Sequence, residues 1–287
     1  MKLTPAQCEM LPSDDDVRSY REHGYYVSKK ILSDEEIDDA IYGSDRYYAG
    51  ERDFLLSSSV KAFEGWKPED GDILRINDYA SLENSELSAL VRNPLLAAIA
   101  AKLCGTTSIR LWHDQMIYKP KERPGLKTSI GWHTDRAYWK TCTSSSMLTA
   151  WIPFHDCPEE MGTLLVVDGS HKWSSTAGLR GFHSGEMEQL EREFAAEGKP
   201  IVKTALRLEK GQVSFHHCLT IHGSGPNRSD TARRSMSVHF QDASNQYREL
   251  KHENGERIWH RNDMLCRVVG GQPDYSDPDF CPTLYMN

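Results

Sequence analysis

The sequence predicts a mainly β fold with flanking α-helices, of the sandwich or jelly-roll kind. Three features of the 287-residue chain carry this expectation. Helix signatures gather in the first third. From Ser108 onward the texture changes to short β-rich runs broken by turns. The regular strand–helix alternation of a parallel α/β sheet is missing. No internal repeat and no Pro/Gly/Ser-rich linker divides the chain, so one domain is expected over 1–287, with a helical part at about 14–104 packing on a β core at about 108–242.

Taken in order, Asp14 to His23 reads as a short helix, and Gly24 with Tyr25, Tyr26 and Val27 as a strand. Ser33-Asp34-Glu35-Glu36 is a capping box, with a Ser N-cap and Glu three residues later, which opens a helix through about Tyr42. Asn93 to Leu103 is helical, with Leu95, Leu96, Ala97, Ile99 and Leu103 apolar. The strand candidates are Ile109 to Tyr118, Met147 to Phe154, Thr163 to Val167, Gln212 to Ile221 and Ser235 to Phe240. A polar helix over Gly185 to Gly198, with Met187, Leu190 and Phe194 as its apolar stripe, interrupts them. Ala49 to Asp72 and Gln246 to Asn262 are irregular and polar, and read as loops that cover a site and set substrate choice.

Composition narrows the function. The chain is 38% hydrophobic and 26% charged, which suits an ordinary globular protein with a sizeable core. A net charge of −8 and a pI near 5.8 argue against nucleic acid or an anionic membrane as partner. Seven scattered cysteines, an odd number with no C-x-x-C pair, suggest neither a disulfide framework nor a thiolate zinc site, and fit a reducing compartment. No basic-then-apolar leader opens the sequence and no apolar run of about 18 residues is apparent, so a cytoplasmic protein is expected.

The chemistry centres on Gly131-Trp132-His133-Thr134-Asp135. On a strand, residues two apart share a face, so His133 and Asp135 can bind one metal. A second His would complete a 2-His-1-carboxylate triad, which leaves adjacent positions open for a bidentate co-substrate and O2. Alone, H-x-D is weak, and a polar strand end would explain it equally well. A second segment supplies the rest: a strand ends at His222, turns through Gly223-Ser224-Gly225-Pro226-Asn227 and reaches Arg233-Arg234. A buried guanidinium suits a dicarboxylate, because its planar fork pairs both oxygens at once. The ligand set by itself also permits a Zn- or Mn-dependent hydrolase or lyase on a cupin-like barrel, or a binding protein without catalysis.

In consistent order over roughly 15–284, the chain resembles the phytanoyl-CoA dioxygenase family of Fe(II)/2-oxoglutarate oxygenases. The matching residues are Asp114-Gln115, Tyr118 to Pro120, Trp132 to Asp135, Ala150-Trp151-Ile152-Pro153, Gly162-Thr163-Leu164, Gly169-Ser170-His171 and His222 to Arg233. The resemblance implies a double-stranded β-helix (a cupin-like jelly roll) with His133, Asp135 and His222 on Fe(II). It implies Arg233 on the distal carboxylate of 2-oxoglutarate, Ser224 hydrogen-bonding beside it, and Gln115 and Trp151 lining the pocket. Arg75 matches a further basic co-substrate contact. O2 is the oxidant, succinate and CO2 are released, and the partner is a small-molecule substrate. Related halogenases replace the metal-binding carboxylate with a small residue; here Asp135 is present.

Several neighbours compete for roles. His216 shares the parity of His222 and can point into the pocket, while His217 should face away. Arg234 should face solvent or the rim. His171 reads as a turn residue at the site rim, and Trp112, Trp132 and Trp139 as core packing before substrate contact. The absence of an evident Lys/Arg cluster for a CoA phosphate leans toward a small metabolite over an acyl-CoA ester.

Overall fold

A computed structural model describes residues 3–56, 66–173, 176–181, 187–199 and 201–287. The chain begins with helices α1 (Pro5–Glu9) and α2 (Asp14–His23), strand β1 (Tyr25–Val27) and helix α3 (Asp34–Tyr48). The capping box is formed: the Ser33 hydroxyl accepts from Glu36 N–H at 3.1 Å, and the Glu36 carboxylate accepts from Ser33 N–H at 2.8 Å. The helix runs two turns beyond the expected end, through Gly43. A Cβ at Gly43 would lie 2.6 Å from Asn84 Oδ1, so glycine here serves close packing instead of ending the helix.

Strand β2 (Arg75–Asp78) precedes α4 (Ser85–Val91) and α5 (Pro94–Cys104), which are separated at Asn93-Pro94. Together Ser85–Cys104 have the length and hydropathy (1.4 on average) to cross a membrane, an apolar run that the sequence reading overlooked. Here the segment is two helices, with eight residues of α5 buried in the core. Each fully buried Leu or Ile contributes about 1.5–3 kcal/mol relative to exposure.

The β region follows as β3 (Ser108–Lys119), β4 (Ile130–His133), β5 (Leu148–Pro153), β6 (Leu164–Val167), helix α6 (Met187–Ala196), β7 (Lys203–Leu206), β8 (Ser214–His217), β9 (His222–Ser224) and β10 (Arg233–Asp242). Residues 185 and 186 of the expected helix lie outside the described residues. All pairings are antiparallel. One sheet has the order β1-β8-β5-β10-β3, with β2 and the C-terminal strand (Thr283–Met286) both on β3. The second has the order β4-β9-β6-β7.

Period-two alternation sorts the large sheet. Met116, Ala150, Ile152, Phe215, Met236 and Val238 face α5 and the other helices in one apolar cluster. Gln115, Ile117, Thr149, Trp151, His216, Ser237 and His239 face the small sheet across a cavity. The two sheets therefore form a jelly roll of the double-stranded β-helix kind, with the helices packed outside.

One predicted strand was two. Gln212 to Ile221 divides, because β8 belongs to the large sheet and β9, starting at His222, to the small one. The parity argument linking His216 to His222 therefore fails, although both reach the cavity, each from its own sheet.

His217 faces away, as expected, with ring centroids 6.4 Å from Tyr20 and 5.5 Å from His171. Burial lowers its pKa from 6.5 to about 4. Between those values the unfolded chain binds the proton and the folded one does not. This contribution to stability is therefore complete above pH 6.5 and is lost as the pH falls toward 4, by up to about 3 kcal/mol. Urea midpoints measured across this range should show a shallower pH slope in His217→Asn; an unchanged slope would remove His217 from the account.

Candidate active site

β4 and β9 pair so that His133 and His222 stand opposite each other, with ring centroids 4.1 Å apart. Asp135 arrives differently from the sequence expectation. The strand stops at His133, and Asp135 opens a 3-10 turn over Asp135–Ala137, so the turn, not strand alternation, aims the carboxylate inward. One ligand atom from each of the three buried residues lies within 4.8 Å of the others.

Hydrogen bonds prepare the donors. His133 Nδ1 lies 2.8 Å from the Gly131 carbonyl, and His222 Nδ1 lies 2.9 Å from the Thr220 carbonyl. A carbonyl only accepts, so each Nδ1 carries the proton and each Nε2 keeps its lone pair for a metal. The Thr149 hydroxyl donates to Asp135 Oδ2 at 2.5 Å and, with its proton so committed, accepts from His239 Nδ1 at 2.7 Å. The other oxygen, Oδ1, faces His222 Nε2 at 3.5 Å. Burial, then the His133 and His216 rings, push His222 well below the usual imidazole range, which favours the neutral ligand form. Burial opposes charge on Asp135, but His222, His216 and His239 outweigh it and keep the carboxyl well below its ordinary value. Two neutral imidazoles and a carboxylate, converging and oriented, fit a divalent first-row metal such as Fe(II).

The cavity extends from the three donors to Arg233. Ile117, Ile130 and Leu164 form its apolar walls, and Trp151, with its ring 5.4 Å from the Arg233 guanidinium carbon, lines it as well. Arg233 donates to the Gly162 carbonyl, and its Nε is buried without a partner. Burial lowers its pKa to about 10, still far enough above neutrality to keep the charge. Ser224 lines the same end and accepts from Lys119 Nζ at 2.5 Å.

Other expectations sort by register. Gln115 lines the cavity and donates to Asp78 at 2.7 Å. Arg75 does not line it. It pairs in register with Tyr118, on the opposite face of β3 from Gln115, and its guanidinium lies 3.7 Å from the Trp66 ring centroid and 3.5 Å from Asp72. The co-substrate contact expected of Arg75 is thereby corrected to a stacked outer-face role. His171 is not at the rim either: its Nε2 lies 3.0 Å from the Arg21 carbonyl at the end of α2. Arg234 points outward and pairs with Asp45 at 2.6 Å. Neither irregular stretch lines the cavity through its described residues, and 57–65 lie outside them. Lys119, Thr149 and His239 went unnoticed in the sequence. Strand parity from Gln115 could have flagged Lys119; Thr149 and His239 depend on cross-strand register, which a single sequence does not reveal.

The geometry suits one class: a non-haem iron dioxygenase that uses 2-oxoglutarate. The phytanoyl-CoA dioxygenase (PhyH) family profile matches residues 20–235, and the chain belongs to that family. The peroxisomal phytanoyl-CoA dioxygenase of Bos taurus is 27% identical over 249 residues, 83% of this chain and 71% of that one. Among solved structures, the alpha-ketoglutarate-dependent carbocyclase SnoK from nogalamycin biosynthesis superposes with a TM-score of 0.70 at 24% identity, covering 95% of this chain and 96% of that one. EctD from S. alaskensis, solved with 2-oxoglutarate and 5-hydroxyectoine, gives 0.69 at 18% identity, covering 91% and 86%. Membership favours the oxygenase over a zinc or manganese hydrolase and over a binding protein without catalysis.

Proposed function

We propose that the chain oxidises a small polar metabolite, with Fe(II) held by His133, Asp135 and His222 and the distal carboxylate of 2-oxoglutarate held by Arg233. One observation carries this reading: three buried, pre-oriented donors converge at one part of a cavity whose far end holds a buried guanidinium without an acid partner among the described residues. Bound there, Fe(II) supplies O2 activation, coupled to conversion of 2-oxoglutarate to succinate and CO2 and to hydrogen abstraction from the substrate. The protein's share is positional. His133 and His222 present Nε2 because carbonyls hold Nδ1, and Thr149 fixes one Asp135 oxygen so that the other is free. Arg233 and Ser224 orient the co-substrate, while Ile117, Ile130 and Leu164 keep water from its methylenes.

A polar substrate is supported by the remaining wall, where Gln115, Ser237, His216 and His239 offer hydrogen bonds. Contrary to the expectation of no Lys/Arg cluster, Lys121, Arg123, Lys127 and Arg228 share a surface cleft. Lys121 and Arg123 are committed there to Asp230 at 2.5 Å and Asp72 at 3.3 Å, so the polar-metabolite reading stands. The cytoplasm is the compartment we assign, on the strength of seven unpaired thiols.

The test is anaerobic titration of Fe(II)-loaded protein with 2-oxoglutarate, followed through the visible chelate band, then exposure to O2 and a succinate assay. Wild type should give both signals, His133→Ala neither, and Arg233→Ala a band only at much higher co-substrate. No band and no succinate in wild type would refute the residue assignment.

A further inference from the structure

Behind the cavity end that carries Arg233, on the far side of Ser224, lies a second buried cation. Lys119 is fully buried, and β3 and β10 pair so that it stands directly opposite Arg233. Its Nζ donates to Ser224 Oγ at 2.5 Å and to the Gly225 carbonyl at 2.7 Å. Among the described residues, no carboxylate forms an ion pair with either cation. Like charges opposite each other on adjacent strands destabilise a sheet, and a buried unpaired charge costs more still. Burial first, and Arg233 second, push the Lys119 ammonium well below its ordinary pKa. A fold bears this cost where an anion is to be received.

We infer that Lys119 is a co-substrate-positioning residue, forming with Arg233 a two-cation receptor for the distal carboxylate of 2-oxoglutarate and orienting Ser224 toward it. The contact runs through Ser224. With its hydroxyl oxygen accepting from Lys119, the Ser224 proton is directed away from the ammonium and is available to a carboxylate oxygen. The charge of Lys119 adds attraction in a low-dielectric site, while its two hydrogen bonds fix the ammonium behind Ser224. The inference rests on the reading of Arg233 as the distal-carboxylate anchor.

The experiment uses two ligands that differ only at that end. Fe(II)-loaded protein is titrated without O2 against 2-oxoglutarate and against 2-oxopentanoate, which keeps the 2-oxo acid head and carries a methyl group in place of the distal carboxylate. In Lys119→Gln, which removes the charge and retains hydrogen-bonding capacity, 2-oxoglutarate should bind roughly ten- to a hundredfold more weakly. Binding of 2-oxopentanoate should stay as in wild type, and Lys119→Arg should recover part of the loss. Equal weakening of both ligands would mean a structural role only, and unchanged 2-oxoglutarate binding would remove Lys119 from the site; either overturns the inference. If Lys119→Gln does not fold, Lys119→Met and Lys119→Arg are read by the same ratio of the two affinities. Arg233→Gln separates the two claims. If it leaves 2-oxoglutarate binding intact, the anchor reading fails. If it weakens binding while Lys119→Gln does not, only the inference drawn here fails.

Discussion

In His222→Ala, iron binding and succinate formation are expected to fall to the level of metal-free protein, whereas His216→Ala retains both. The two rings lie 4.2 Å apart by centroid and both line the cavity, so position alone does not separate them. Their hydrogen bonds do. His222 Nδ1 is held by the Thr220 carbonyl, which turns Nε2 toward His133 and Asp135. His216 has no hydrogen-bond partner on either nitrogen, and its Nε2 approaches Asp135 Oδ2, the oxygen already bonded to Thr149, at 3.4 Å. Removing a group that supports a ligand costs about 10–100-fold in metal affinity, which millimolar iron would overcome in His216→Ala. Iron titration of both variants, with succinate measured in parallel, decides the matter. Retention of iron by His222→Ala and its loss from His216→Ala would exchange their roles.

Gly162→Ala should be the most damaging small substitution near the site. Gly162 has φ of +68°, and an added Cβ would stand 2.4 Å from the Gly225 carbonyl oxygen and 2.9 Å from that of Pro226. Left-handed backbone and forced overpacking together predict a loss of roughly 2–4 kcal/mol. The same residue's carbonyl receives Arg233, so the variant should also bind 2-oxoglutarate more weakly. Urea unfolding gives the first quantity and co-substrate titration the second. An alanine variant as stable as wild type would show that the Gly225–Pro226 turn can yield.

Local signals made much of this legible from the sequence. The Ser33 capping box, the apolar face of α5 and the run from Ser108 to Lys119 each declare their element, because the interactions that form them lie within a few residues. Residue chemistry and spacing made His133, Asp135 and a following His and Arg candidates, and the family resemblance singled out His222 and Arg233. What was misread depended on tertiary partners. The helix opened at Ser33 was expected to end at about Tyr42, because Asn84, against which Gly43 packs, is distant in sequence. The run Gln212 to Ile221 looked continuous because nothing local records that the chain leaves one sheet for the other at Cys218 to Ile221. Arg75 was placed by loose motif similarity, while the β2–β3 register, a tertiary fact, sends it to the outer face. Lys119 was hidden because a lysine on a strand ordinarily faces solvent.

The division of labour between strands and loops has a consequence for how this scaffold can diversify. His133 and His222 sit on paired strands of the small sheet, Asp135 in the turn that follows, and Arg233 at the start of the longest strand after β3. The segments after β10 and the stretch between α3 and β2 supply none of these groups. Insertions or exchanges there leave the oxidising machinery in register. The donors and the guanidinium thus stay on parts of the chain that tolerate change elsewhere, so these outer segments can vary without rebuilding the iron site.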